Sequence, residues 1–361
     1  MYNVLIDRNI NLLYESLEGF SNNKLFNGRE LSNQDIIDFD CDILFTRSQT
    51  KVNEELLRNT KVKLVATATS GTEHIDIDYL KQNNIKFYDA GGSNANSVAE
   101  FVVYSIIRWA IINQFILNDK VIGIIGFGRI GKIVKYYASQ LGLKILVNDP
   151  PLFEDNYQFP NDVIYTELDE IFQFADIITN HVPLTFDRKH KTYKLIGEKQ
   201  IEKMKVNSLL IHHSRGGVID EQALIKFKVI KNLFYSIDVW ENEPNVNSEL
   251  AKLCEIATPH ISGYSFDGKL NGAKMMLDVF KKWTGVEPNY HIIDDELLKT
   301  TREKLSSFNN YNDILNYFEG CRNFKDDVES FKAISKDIPP KKHFDNLRKK
   351  YPIKRECLIF S

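Results

Sequence analysis

Short runs of β-branched and aliphatic residues recur along the chain, each followed by a stretch whose apolar positions repeat with helical spacing. That alternation is the pattern of parallel sheets covered by helices. The runs fall into two sets. Residues 4–7, 43–46, 64–68 and 86–88 make the first; residues 121–125, 144–148, 177–180, 209–212 and 235–239 make the second. Between them Ser97 and Glu100 have the spacing of a capping box, which predicts a long helix from about Ser97 to Asn113. A further helix is predicted over 268–283, returning the chain to the first set. The expected organisation is therefore two parallel-sheet lobes joined by two crossings, a hinged cleft. From about Glu287 the character shifts to Asn, Asp and Lys with aromatics and Pro339-Pro340, which predicts a small appended C-terminal domain.

The glycines change the picture most. Gly126, Gly128 and Gly131 follow the apolar run 121–125 with the spacing G-x-G-x-x-G, and the next run ends at Asp149. Strand, glycine turn, helix and second strand ending in an acid form a dinucleotide grip. Gly126 permits the tight turn, Gly128 lets the backbone approach a pyrophosphate, and Gly131 lets the helix pack close to the sheet. Arg129 and Ile130 stand at the N-terminus of that helix, where the pyrophosphate would rest. A carboxylate at Asp149 can accept bonds from both ribose hydroxyls and repels a 2′-phosphate, so the expected cofactor is NAD rather than NADP.

Composition narrows the remaining classes. With 361 residues, 43% hydrophobic and 26% charged, the chain can build two or three domains with real cores. A formal charge of -3 gives no reason to expect nucleic acid or an anionic membrane as partner. The apolar stretch 101–117 is interrupted by Arg108, Asn113 and Gln114 and reads as a buried helix. Cys41, Cys254, Cys321 and Cys357 are scattered without a C-x-x-C pair, and residues 4–7 open the chain on a strand with no basic-then-apolar leader. Both point to a reducing cytoplasm. His181, His212, His213 and Cys254 lack zinc spacing, so no metal site is expected.

The ordered motifs identify a family. Arg47-Ser48, Thr67-Ala68-Thr69-Ser70-Gly71-Thr72, the glycine turn, His181-Val182-Pro183-Leu184, Ser214-Arg215-Gly216-Gly217, Asp238-Val239-Trp240-Glu241-Asn242-Glu243-Pro244 and Thr258-Pro259-His260 occur in the order of the D-2-hydroxyacid dehydrogenases, which the chain resembles over most of its length. Within that family it is most similar to the branch that oxidises 4-phospho-D-erythronate in pyridoxal 5′-phosphate synthesis. Residues carrying that likeness are Arg47-Ser48-x-Thr50-Lys51-Val52-Asn53, Asp149-Pro150-Pro151, Trp240-Glu241-x-Glu243-Pro244, Gly263-Tyr264 and, in the tail, Phe344-Asp345-x-Leu347-Arg348-Lys349.

The resemblance implies an α/β fold of two Rossmann-like lobes, 1–95 with 262–285 binding substrate and 96–261 binding NAD, plus a C-terminal α+β dimerisation domain, 286–361. It implies a catalytic trio of Arg215, Glu243 and His260. The chemistry agrees: a base must take the hydroxyl proton while hydride leaves C2, and an imidazole suits that work. Pro259 fixes the approach to His260, a carboxylate at Glu243 would orient the ring, and Arg215 offers a planar fork to a carboxylate or incipient carbonyl. Val182, His213, Ser214, Asp238 and Gly263 map to cofactor-lining positions, although Asp238 reads equally as a structural strand-end acid. His213 departs from relatives, which carry a small or amide residue there. Ser48, Thr69 and Tyr264 map to substrate contacts, with Gly71 and Thr72 in a turn whose N–H groups can meet an anion.

A 4-phosphate lies several bonds from C2 and needs its own cation. Arg47 is the first candidate, with Arg348 and Lys349 reaching over the cleft of a partner in a homodimer the next. Two alternatives stand beside the phosphorylated substrate: a dehydrogenase for 3-phosphoglycerate or a plain 2-hydroxy acid, and a non-enzymatic NADH-sensing scaffold of the same fold.

Overall fold

The computed structural model describes residues 1–187, 189–333 and 340–360. Pro339 lies outside them. The chain divides into two compact units, 1–94 with 265–301 and 95–264 with 302–361, so it passes between units three times rather than two. The tail is the reason: 286–301 stays with the first unit, and 302–361 folds onto the second. Among the described residues the tail from 302 onward is helical, its one β-type contact being the bridge between Glu303 and Leu358.

In the first unit five parallel strands run β1 (Asn3–Asp7), β2 (Asn22–Phe26), β3 (Ile43–Thr46), β4 (Leu64–Thr67) and β5 (Lys86–Asp89), ordered β2-β1-β3-β4-β5. Strands β3 and β4 are buried at every position, as sheets covered on both faces require. The order reverses between β1 and β3, which places a topological switch point at their carboxyl ends. Arg47 and Ser48 leave β3 there. Helix Phe266–Thr284, capped by the Ser265 hydroxyl accepting the Gly268 N–H at 2.9 Å, belongs to this unit and buries Leu270, Ala273, Met276 and Phe280 in its core.

The second unit holds seven parallel strands: β6 (Val121–Ile125), β7 (Lys144–Asn148), β8 (Val163–Tyr165), β9 (Ile177–Asn180), β10 (Leu209–His212), β11 (Phe234–Ile237) and β12 (Ile256–Ala257), ordered β12-β11-β10-β9-β6-β7-β8. Here the reversal falls between β6 and β9, so the glycine turn and His181-Val182 share the switch point.

Helix Ala95–Asn113 is long and apolar enough to cross a bilayer by length and composition alone, yet 78% of its most apolar window is buried inside the protein, in keeping with the reading of a buried helix. It is the central helix of this unit's core. The predicted helix forms and ends at Asn113 as expected, but the capping box that marked its start near Ser97 does not form. The helix already begins at Ala95. Both polar residues of the apparent capping box turn instead to distant partners. Ser97 Oγ donates to the Ser262 carbonyl at 2.7 Å and accepts from Arg322 Nη2 at 3.0 Å. Glu100 pairs with Arg322 Nη1 at 2.8 Å and accepts the N–H groups of Cys357 and Leu358, each at 2.7 Å. Burial pushes the Glu100 carboxyl up to about 7 against the opposing pull of Arg322.

Candidate functional site

The turn after β6 has the shape the glycine spacing demands. Gly126 sits at φ +90°, a conformation L side chains rarely adopt. A Cβ on Gly131 would stand 2.2 Å from the Gly126 carbonyl, so only glycine lets the helix Arg129–Gln140 rise this close to the turn. Gly128 is the helix N-cap and supplies no side-chain cap, and a Cβ added there would enter open space. The first-turn N–H groups are thus directed at an open position suited to an anion. Arg129 is exposed beside it, while Ile130 packs on the core. Asp149 ends the next strand, accepting the Phe127 N–H at 2.7 Å and capping the following helix through the Leu152 N–H at 3.1 Å. That ties the acid to the glycine turn itself. These residues fit a dinucleotide.

Across the switch point, His181 and Val182 follow β9, with Val182 packed against the core. His213 is buried and stacks on Phe101 at 4.9 Å; its Nε2 meets the Ser236 hydroxyl at 3.0 Å. Ser214 Oγ donates to the Asn180 side chain. The Nδ1 atoms of His181 and His213 are buried without a hydrogen-bond partner.

Burial pushes His181 down to about 3, with the charge of His213 adding, His212 to about 3 for the same reasons, and His213 to about 4 against the pull of Asp238. Each stays neutral when folded and takes up a proton on unfolding below pH about 6.5. The unfolded chain then binds more protons, so stability is full above that value and falls as acid is added. The urea midpoint should drop between pH about 6.5 and about 5, above the range where most carboxylates titrate, with up to about 1.4 kcal/mol per pH unit from each histidine. His213→Asn should make the slope shallower; a midpoint flat across that window would contradict three neutral buried rings.

The catalytic candidates lie on loops at the carboxyl ends of β10, β11 and β12. His260 Nδ1 is 2.8 Å from Glu243 Oε2, and the other carboxylate oxygen accepts the Trp240 N–H at 2.9 Å. The carboxylate is held from both sides. His260 itself has φ +57°, a left-handed backbone costing of order 1 to 3 kcal/mol in a non-glycine residue. Asp238 holds it there: one oxygen accepts from the Thr258 hydroxyl and the Ile261 N–H, both at 2.7 Å, and the other from the Ser262 N–H at 2.9 Å. Burial raises the Asp238 carboxyl, but His260, His213 and those hydrogen bonds outweigh it and hold the group below its ordinary value.

Arg215 donates Nη1 to the Ser214 carbonyl at 2.9 Å. Its loop is pressed onto the Trp240 backbone, because a Cβ on Gly216 would lie 1.8 Å from the Trp240 carbonyl. Glycine therefore sets Arg215 beside the segment that carries Glu243. Gly263 lies in the turn after His260, and Tyr264 closes that turn through its N–H to the Ile261 carbonyl at 2.8 Å. The Asp238 clamp has the form of the structural strand-end acid that the sequence offers as one reading; the Trp240 anchor is not in that reading, although the three-residue spacing from Trp240 to Glu243 is a local signal of such a turn.

In the first unit, Arg47 donates to the Asn9 carbonyl at 2.7 Å, spanning the loops after β1 and β3. Ser48 is exposed beside it. Thr69 shares a 2.9 Å hydrogen bond with Thr67 and donates to the Gly71 carbonyl at 3.0 Å. Arg348, expected over a partner's cleft, bonds Tyr264 of its own chain.

The model of the D-isomer specific 2-hydroxyacid dehydrogenase NAD-binding domain matches residues 108–262. The chain belongs to this family of NAD-dependent dehydrogenases. The likeness sharpens within it: the chain is 39% identical over 291 residues to the erythronate-4-phosphate dehydrogenase of Wigglesworthia glossinidia brevipalpis, covering 80% of this chain and 75% of that one. It is 36% identical over 335 residues to the enzyme of that name from Hydrogenovibrio crunogenus, covering 91% and 85%. Among solved structures, D-lactate dehydrogenase from Aquifex aeolicus with NAD and lactic acid superposes with a TM-score of 0.62 at 26% identity, over 78% of this chain and 96% of that one. The NAD-bound 3-phosphoglycerate dehydrogenase of Entamoeba histolytica gives 0.63 at 26%, over 80% and 98%.

Proposed function

We propose that the protein oxidises 4-phospho-D-erythronate at C2, giving (R)-3-hydroxy-2-oxo-4-phosphooxybutanoate, as a cytoplasmic step of pyridoxal 5′-phosphate synthesis. The observation that carries the chemistry is the His260–Glu243 contact of 2.8 Å, with Glu243 fixed from behind by the Trp240 N–H. The names of the 36–40% identical relatives support the substrate. NAD, when bound, accepts the hydride from C2. Gly126, Gly128, Arg129, Ile130 and Gly131 would hold its pyrophosphate, Asp149 its ribose, and Val182, His213, Ser214, Asp238 and Gly263 its nicotinamide half.

His260 takes the hydroxyl proton at Nε2 while Glu243 keeps Nδ1 bonded and the ring in place. Arg215 presents its fork to the carboxylate and to the oxygen that becomes a carbonyl, stabilising charge as it develops. Ser48, Thr69 and Tyr264 contact the substrate, and Arg47 meets its phosphate. The tail 286–361 pairs two chains into a homodimer. Four free cysteines fit a reducing compartment.

NADH formation from a panel of 2-hydroxy acids tests the reading. The phosphorylated four-carbon acid should be the best substrate, NAD should far outperform NADP, and Asp149→Ala should narrow that preference by about tenfold or more, the worth of hydrogen bonds to a charged group. Turnover of 3-phosphoglycerate alone would replace the substrate. NADH binding without turnover of any acid would favour a sensing scaffold, and a monomeric mass in solution would remove the dimer.

A further inference from the structure

Helix Pro340–Lys349 brings a cation to the loop that carries His260. Arg348 donates Nε and Nη2 to the Tyr264 hydroxyl at 3.1 and 2.7 Å, and its guanidinium lies 5.3 Å from the Tyr264 ring centre and 5.6 Å from that of Phe344. Tyr264 follows His260 by four residues, at the end of the turn that Asp238 clamps. The helix is firmly seated. Phe344 is buried in the cluster that contains Trp240 and Phe331, His343 Nε2 lies 3.1 Å from the Ser330 carbonyl, and Tyr351 packs edge-on against Tyr264 at 5.7 Å.

Two buried cations of the tail are matched by carboxylates: Arg322 by Glu100 at 2.8 Å, and Lys354 by Asp327 at 2.7 Å. Arg348 is not. Although it is half-buried, among the described residues no carboxylate forms an ion pair with it, and a neutral phenol takes its Nε and Nη2 donors. A guanidinium carries five N–H groups in a planar fork. With the Nε edge turned to Tyr264, the Nη1–Nη2 edge keeps the spacing that grips two oxygens of a phosphate.

We infer that Arg348 is a specificity-determining residue of the proposed reaction, binding the phosphate of a phosphorylated 2-hydroxy acid from the same chain that supplies Tyr264 and His260. Tyr264 positions the fork, and the tail helix holds the pair rigid. This rests on the substrate reading given above, and it accounts for the tail without needing a residue from a partner.

The test compares 4-phospho-D-erythronate with D-erythronate in the full-length wild type, Arg348→Gln, Arg348→Lys and Tyr264→Phe. Gln keeps a donor for Tyr264 without the charge. It should raise KM for the phosphorylated acid about tenfold to a hundredfold, the worth of hydrogen bonds to a charged group, with kcat falling less and KM for D-erythronate rising far less. Lys should recover part of the loss. Inorganic phosphate, used as a competitive inhibitor against D-erythronate, should bind the Gln variant correspondingly more weakly. Equal losses on both acids in Arg348→Gln, matched by Tyr264→Phe, would reduce Arg348 to a support for Tyr264 and overturn the inference alone. A wild type with no preference for the phosphorylated acid would overturn both the inference and the substrate reading.

Discussion

His260→Ala should lower kcat by about 10² to 10⁴, the usual contribution of a positioned general base, while NADH binding measured by fluorescence titration stays nearly intact. The separation follows from the geometry. His260 bonds Glu243, and the groups suited to the nucleotide are the glycine turn, Asp149 and the loops after β9 and β10. Glu243→Gln should lose a comparable part of kcat, because an amide in that position can present its N–H to the ring and favour the wrong tautomer. Weakened NADH binding equal to the loss of rate would move His260 from proton transfer to cofactor support.

Arg322→Met should destabilise the protein by about 3 to 5 kcal/mol, the cost of breaking a buried pair by removing one partner. Both side chains of the Glu100–Arg322 pair are 0% exposed, so nothing from solvent replaces the arginine. Burial already pushes the Glu100 carboxyl up to about 7, so the stranded acid will take up a proton at neutral pH. Even protonated it lacks the partner its second oxygen had. Glu100→Gln combined with Arg322→Met should recover part of the loss in urea unfolding. A single variant costing less than about 1 kcal/mol would mean the pair contributes no more than a surface contact.

The parts of the fold legible in the sequence are those whose signal is local and whose surroundings are apolar. Strands buried on both faces, such as Ile43–Thr46 and Leu209–His212, declare themselves as continuous apolar runs. Asn22–Phe26 and Val163–Tyr165 went unread because they are edge strands: the first is polar with Leu25 exposed, and the second is three residues long with Ile164 at the surface. Nothing in their pattern demands a sheet. The site divides the same way. The glycine turn, Asp149 and the residues of the His260–Glu243 pair sit in short ordered motifs. By contrast, Ser97 and Glu100 satisfied a local rule and were recruited by residues more than 160 positions away, while Arg348 meets Tyr264 across 84 positions. Periodicity carries no information at that range.

The closure around Glu100 also has a consequence in time. The N–H groups it accepts are made 257 and 258 residues after it, so during synthesis at ~5–20 residues per second the acid waits on the order of tens of seconds for them. Throughout that interval the part of the central helix 95–113 that packs on helix Tyr311–Cys321 and on Cys357-Leu358 stays uncovered. A growing chain therefore leaves one side of an apolar helix open until the tail arrives. Slowing translation late in the message should raise aggregation of this protein more than slowing it early.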